Sequence, residues 1–320
     1  MSKLTRYVLI PLWILFFIGI GVIYFIFSQI NSGAIGYLPP IEELENPKNK
    51  FATIIYSCDS VELGRFSQAK ENRVYVNYNQ ISPNLVKALI ATEDVRFEHH
   101  SGIDFKAIFR AIIKTVMLGD DSAGGGSTIT QQLAKQLYSP ESNGFWDRAM
   151  KKPIEWVIAV KLEKLYTKEE IINMYLNKFD FLYNAVGIRS AAHIYFNKLP
   201  KDLNVEESAM LVGMCKNPAK FNPIKRPKET RDRRETVLDQ MEKAGFLTEE
   251  QVDSLKDLPL LPQMDSNGNY KLSNSADHKA GLAPYLREYL RKIMRAKEPV
   301  RSNYASWQEQ QYEEDCVRWQ

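Results

Sequence analysis

Cysteine is scarce in this sequence: three in 320 residues, Cys58, Cys215 and Cys316, far apart and never in a C-x-x-C pair. That spacing excludes a cysteine-built zinc framework and a disulfide scaffold. All three read as structural or free thiols, and an odd number allows at most one bridge within the chain. An excess of one charge is missing as well. Lys and Arg number 42 against 39 Asp and Glu, a net charge of +3, so no overall field draws in nucleic acid and any basic site is local. No internal repeat is visible, and the P-loop pattern G-x-x-x-x-G-K-[ST] is absent. What remains is an ordinary globular composition, 44% hydrophobic and 25% charged, long enough for one or two domains with a sizeable core.

Charge is also missing locally. Tyr7 to Ile30 is 24 residues without an acid or a base. As a helix it spans roughly 36 Å at about 1.5 Å per residue, enough to cross a bilayer with tilt. Lys3 and Arg6 precede it, and Trp13 and Tyr24 suit the interfaces, so the positive-inside rule puts the N-terminus in the cytoplasm and the rest outside. A cleavable signal peptide is the alternative, but its apolar core runs only about 7–15 residues. The expected organisation is a cytoplasmic tip and transmembrane anchor over 1–30 and a linker with a short β-rich segment over 31–80. A mainly α domain follows over 81–250, then a linker and the start of a second domain over 251–320.

Phe51–Ser57 and Val74–Val76 read as strands, with Asp59-Ser60 as a turn. Ser82-Pro83 starts a helix, serine as N-cap and proline at the first helical position. A second helix over 103–118 carries Phe105, Ile108, Phe109, Ile112, Ile113 and Val116 on one side and Lys106, Arg110 and Lys114 on another. That basic stripe is either a solvated face or a contact for anionic lipid headgroups. Helices follow at 128–138, 153–165, 168–177, 185–196, 205–214 and 229–244. Residues 255–280 are polar and turn-rich, and 281–296 are amphipathic.

Three clusters carry chemistry. On the helix from Pro83, extended onward, Val86, Ile90, Glu93 and Phe97 fall on one stripe. A carboxylate is thereby aimed at the core side, where burial disfavours a charge and suits the group to proton transfer. The alternative is that Glu93 snorkels out or pairs with Arg96 or His100. Asp94 lies off the stripe, as a cap, a hydrogen-bonding group or a group that binds a partner; His99, His100 and Asp104 have a faintly metal-like spacing, though a structural histidine reads as well. The second cluster is Gly124-Gly125-Gly126-Ser127-Thr128-Ile129-Thr130-Gln131-Gln132. Thr128 and Gln131 form a capping box there, at a helix N-terminus that attracts anions, with Lys135 one turn on. The third is Arg148, Lys151, Lys152 and Glu155, stacked on one helical face as an ion pair or a pyrophosphate cradle. Pro153 starts or kinks that helix.

Taken together, these segments resemble the peptidoglycan glycosyltransferase family, the polymerising domain of class A penicillin-binding proteins and monofunctional transglycosylases. Residues 93–102 fit E-D-x-x-F-x-x-H-x-G, and 126–135 fit G-x-S-T-I-x-Q-Q-L-x-K throughout. Residues 151–155 fit R-K-x-x-E with Lys151 for arginine; 168–198 resemble K-E-E-I-x-x-x-Y-L-N … A-A-x-x-Y-F-x-K, and 233–238 resemble R-R-x-x-V-L. The resemblance implies a lysozyme-like helical glycosyltransferase domain partly seated on the membrane, polymerising lipid II onto an undecaprenyl-pyrophosphate-linked glycan. It makes Glu93 the general base and puts Glu155 near the leaving pyrophosphate, directly or through a divalent cation (Mg or Mn). Lys135, Arg148, Lys151 and Lys152 would neutralise that charge; Asp94, His100, Ser127, Thr128, Gln131 and Gln132 would shape and bind the substrate pocket. It further implies a single-pass protein of the bacterial inner membrane, with other cell-wall synthesis proteins as partners and no nucleic acid. Phe181-Leu182 and Asn197 stand where the family usually shows Phe-Gly and Gly. No K-T-G occurs in the chain, so a transpeptidase centre is absent from it. Residues 281–320 exceed what the polymerising domain explains and read as the entry to a second domain of a truncated bifunctional protein.

Overall fold

The uncharged run folds as one helix, α1 (Ile10–Asn31), with Pro11 in its first turn. In the computed structural model the stretch Ile10–Ile30 has mean hydropathy 2.5; its side chains are exposed as far as Phe25, and Ile30 is fully buried. By length and composition it can cross a membrane. The structure describes residues 7, 9–33, 37–45, 53–59, 62–66, 74–118, 126–138, 145–183 and 185–261, with short pieces of 285–319 beyond. Within these, the side chains of 31, 53–54, 56, 62–66, 112, 114–118, 145–150 and 318 lie outside the description. The amphipathic stretch read at 281–296 and the glycines at 124–125 fall mostly or wholly outside the described residues.

The chain forms two compact units, the first comprising 1–49, 86–176 and 239–249. The stretch after α1, expected as a linker, is not bare. A short helix, α2 (Ile41–Glu45), follows Pro39-Pro40, and Leu44 is fully buried. Tyr138 Oη donates to the Glu43 carbonyl at 3.2 Å, and Tyr166 Oη donates to the carbonyls of Leu44 and Glu45 at 2.7 and 2.9 Å. Tyrosine hydroxyls thus satisfy the last carbonyls of α2, which lack partners within the helix. Burial, with the Glu43 carboxylate nearby, pushes the Tyr138 phenol up to about 12, so it stays a donor at neutral pH.

The remaining elements of this unit are α3 (Pro83–Glu93, from Val86 on), α4 (Phe105–Leu118), α5 (Ile129–Tyr138), α6 (Phe145–Leu165) and most of α7 (Lys168–Lys178). The α5 helix packs on α6. The core face of α6 runs through Ile154, Glu155, Ile158, Ala159 and Leu162. One expectation needs correction here. The helix expected at 153–165 begins at Phe145, and Pro153 sits inside it; the proline removes one backbone donor without ending the helix. The apolar side of α4 is not turned to the core: Phe105 is 71% exposed, Phe109 67% and Ile113 37%. Lys106 and Arg110 are exposed too, and Lys114 lies outside the described side chains.

The second unit comprises 50–85, 177–238 and 250–320. Among the described residues its strands form a two-stranded ribbon, β1 (Thr53–Tyr56) antiparallel to β2 (Glu62–Phe66), with an irregular register at Ile55/Tyr56 and an isolated bridge between Asp180 and Val186 besides. Val74–Val76, expected as a strand, is not part of one. Instead the Asn177 amide imitates a neighbouring strand, donating to the Val76 carbonyl and accepting its N–H, both at 3.0 Å. Ser82 does precede α3, but its hydroxyl donates to the Leu203 carbonyl at 2.9 Å, a tertiary tie rather than the expected cap.

At the centre of this unit is α9 (Val205–Lys216), in which every residue from Glu207 to Cys215 is buried. Asn204 and Glu207 form its capping box, and Lys198 pairs with Glu207 at 2.9 Å. After α8 (Ile188–Phe196), Asn197 takes a left-handed φ of 54°, a conformation asparagine tolerates better than most residues. Leu182 is less suited: its φ of 66° suits glycine and strains a γ-branched side chain. The fully buried Arg234 of α10 (Pro227–Lys243) donates to the carbonyls of Lys256, Leu258 and Pro259, capping the end of α11 (Glu249–Lys256). Beyond it, α12 (Glu309–Trp319) is the last described helix.

Candidate active site

Glu93 is the last residue of α3. The buried face of that helix runs through Leu85, Ala88 and Leu89, whereas Val86, Ile90 and Glu93 are half-buried. The stripe expected to aim Glu93 into the core is therefore the flank of the helix, and the carboxylate sits at its rim. Nor does α3 continue to Phe97, which lies on a separate 3-10 turn, Phe97–His99.

The chain turns because Asp94 is engaged elsewhere. His100 Nε2 lies 2.9 and 3.0 Å from the two Asp94 carboxylate oxygens, and Asp94 Oδ2 accepts the Ile129 N–H at 3.1 Å. Asp94 is 8% exposed. Its charge occupies the N-terminus of α5, the place where an external anion was expected, and the helix dipole favours it there. Thr128 supplies half of the expected capping box, its Oγ1 accepting the Gln131 N–H at 3.2 Å and donating to the Gly102 carbonyl at 2.7 Å. The Gln131 side chain does not complete the box. Its amide donates to the same Gly102 carbonyl at 3.1 Å and its oxygen receives Ser127 Oγ at 3.3 Å. Lys135 of the same helix is exposed while Gln131 is buried, so the two do not share a direction.

Gly102 is the joint of this frame. Its φ is +88°, and a Cβ there would come 2.8 Å from the Ala159 carbonyl carbon of α6. Only glycine allows that approach. Gly126 lies similarly close to the α4 backbone, where a Cβ would come 3.1 Å from Ile108 Cα. Asp104 caps α4 through the Ala107 N–H at 3.0 Å and pairs with Arg96 at 3.3 Å. The metal-like spacing of His99, His100 and Asp104 thus resolves into a cap and a buried pair. Among the described residues no three His, Cys, Asp or Glu side chains converge.

Gln132 turns toward Glu93, its Nε2 donating to Glu93 Oε2 at 2.9 Å. Behind it, Tyr175 Oη of α7 donates to Gln132 Oε1 at 2.9 Å. Lys168, at the start of α7, donates to the His100 carbonyl at 2.7 Å, pairs with Glu163 at 2.7 Å and lies 4.3 Å from the centre of the Phe97 ring. Thr130 Oγ1 donates to Glu163 as well, at 2.5 Å. Neither Tyr175 nor Lys168 stands out from sequence as a site residue, although both sit at fixed positions of the 168–177 motif.

Glu155 is 4% exposed and belongs to the apolar stripe Glu155-Ile158-Ala159-Leu162 of α6. Steps of three and four in the sequence could have shown this. Lys152 Nζ reaches over it at 2.8 Å with its own side chain 48% exposed. Lys151 is half-buried beside it in sequence. Arg148 is in the same helix, but its side chain lies outside the described residues.

The chain is similar to known proteins. A family model described as Transglycosylase matches residues 59–242. Penicillin-binding protein 1A of Escherichia coli (strain K12) is 36% identical over 293 residues, 91% of this chain and 32% of that protein. Penicillin-binding protein 1F of Bacillus subtilis (strain 168) is 40% identical over 178 residues, 56% of this chain and 24% of that protein. Penicillin-binding protein 1A of Aquifex aeolicus (strain VF5) is 35% identical over 238 residues, covering 74% and 31%. The chain spans between 24% and 32% of the length of these curated relatives.

Proposed function

The chain belongs to the transglycosylase family, and from that premise we propose that it is a membrane-anchored peptidoglycan glycosyltransferase. It polymerises lipid II into β-1,4-linked glycan and releases undecaprenyl pyrophosphate. The observation that carries this reading is Glu93 itself, a carboxylate at the rim of α3 held by the Gln132 amide at 2.9 Å. A general base needs such a place, fixed in direction yet reachable by substrate.

In the reaction Glu93 takes the proton of the acceptor 4-hydroxyl as that oxygen attacks the donor's anomeric carbon. The bond from that carbon to the pyrophosphate oxygen breaks, its electron pair leaves with the lipid pyrophosphate, and the anomeric configuration inverts. Lys135, Arg148, Lys151 and Lys152 neutralise the leaving group, which needs cations more than an acid. Lys151 offers a point charge where the family motif has a bidentate arginine. Ser127 and Gln132 contribute to the substrate pocket, while Asp94, His100, Thr128 and Gln131 hold its frame. The donor set fits a resident divalent cation poorly, because Glu155 already carries the Lys152 ammonium at 2.8 Å. No step is assigned to a metal.

The anchor runs N-terminus in the cytoplasm, as Lys3 and Arg6 favour, with the catalytic unit outside. The exposed Phe105, Phe109 and Ile113, flanked by Lys106 and Arg110, suit α4 to lie in the headgroup boundary where the lipid-linked substrate arrives. The test is glycan-chain synthesis from lipid II by the detergent-solubilised protein. Polymer made by the parent and none by Glu93→Gln supports the assignment; polymer retained by Glu93→Gln defeats it.

A further inference from the structure

The general base in the proposed reaction is oriented through a side chain that in turn leans on a residue outside the three sequence clusters. Gln132 of α5 stands between two groups on other helices. Its Nε2 donates to Glu93 Oε2 at 2.9 Å, and its Oε1 accepts from Tyr175 Oη of α7 at 2.9 Å. A carboxamide can face either way, and the two orientations differ only in exchanging its oxygen and nitrogen. With the oxygen toward Glu93, two acceptors would meet and the carboxylate would lose that donor. The orientation with all donors pointing toward Glu93 satisfies phenol, amide and carboxylate together, and such chains strengthen one another by polarisation. Tyr175 is fully buried, so solvent does not substitute for its hydroxyl.

We infer that Tyr175 is a positioning residue: it fixes the Gln132 amide so that its N–H₂ orients the Glu93 carboxylate toward the acceptor hydroxyl. The inference rests on Glu93 being the base. Tyr175 touches no reacting atom; it acts through Gln132, and its effect falls on the chemical step rather than on substrate binding.

The experiment is a double-mutant cycle on the full chain in detergent, reading kcat and KM for lipid II with the thermal midpoint as a fold check. Tyr175→Phe removes the hydroxyl and keeps the ring. The expected result is a fall in kcat of about 3- to 10-fold, the size of one neutral hydrogen bond, with KM changed less than about 2-fold. Gln132→Met lowers kcat further, and adding Tyr175→Phe to it produces no additional loss. Independent, multiplying losses would overturn the inference, as would a Tyr175→Phe enzyme of unchanged kcat or one whose defect lies in KM. If Tyr175→Phe does not fold, 3-fluorotyrosine at 175 strengthens the donor with little change of shape. It should alter kcat in the parent and leave it unchanged in Gln132→Met; the same change in both backgrounds would overturn the inference. Failure here is distinguishable from failure of the assignment, because an inactive Glu93→Gln upholds the base whatever Tyr175 does.

Discussion

Glu93 and Glu155 belong to one compact unit, yet they are held in opposite ways. Glu93 ends its helix at a half-buried rim, with the neutral Gln132 amide against it. Glu155 lies on the apolar stripe of α6, 4% exposed, with an ammonium drawn over it from a largely solvated stem. The first arrangement leaves a carboxylate able to meet a hydroxyl and take its proton. The second makes a carboxylate that depends on a cation. One end of the proposed reaction needs a base and the other needs positive charge, so the difference in burial tracks the difference in task. Gly102 joins the two regions, since its carbonyl receives Thr128 and Gln131 while the α6 backbone leaves no room for a Cβ on it.

The comparison can be broken first at Glu93. Glu93→Gln should lower polymerisation by about 10²- to 10⁴-fold with little change in the thermal midpoint, because a rim amide replaces a rim carboxylate. The next largest effect is on the joint. Gly102→Ala must adopt a φ of +88° and place a methyl 2.8 Å from Ala159; a loss on the order of 3 kcal/mol is expected in urea unfolding. Lys152→Ala exposes the dependence of Glu155 on its cation. Because the lysine is 48% exposed, solvent screening reduces the effect, and about 1–2 kcal/mol of stability should be lost. Adding Glu155→Gln should restore most of it while activity stays low, which separates the structural charge from the catalytic one. The smallest effect lies in the other unit: Leu182→Gly relieves a φ of 66° and should raise stability by up to about 1 kcal/mol, read as a small rise in the thermal midpoint.

The start of α3 at Pro83, the long apolar helix α1, and the start of α5 after Thr128 are legible in the sequence because each rests on local chemistry: a proline, an uncharged run, a cap. The direction of side chains is not. Glu93 reads onto the core stripe because Val86 and Ile90 share its spacing, but the packed face is set by Leu85, Ala88 and Leu89, one position round the helix. The burial of Glu155 escapes the pattern for the converse reason, since its charged neighbours Lys151 and Lys152 draw attention from the apolar steps to Ile158 and Leu162. Pro153 conceals the first two turns of α6 because a proline inside a helix resembles one at its start. The sequence pattern separates the apolar side of α4 from its basic side without saying which faces the core; the exposure of Phe105 and Phe109 depends on what the rest of the fold leaves uncovered. Tyr175 and Lys168 act over sequence separations that no spacing rule reaches, as 43 and 68 residues divide them from the partners they hold.

The most direct test is glycan-chain synthesis from lipid II by the detergent-solubilised full chain, comparing the parent with Glu93→Gln at matched folded fraction. The account predicts polymer from the parent and none above background from the variant. Polymer at undiminished rate from Glu93→Gln would contradict it.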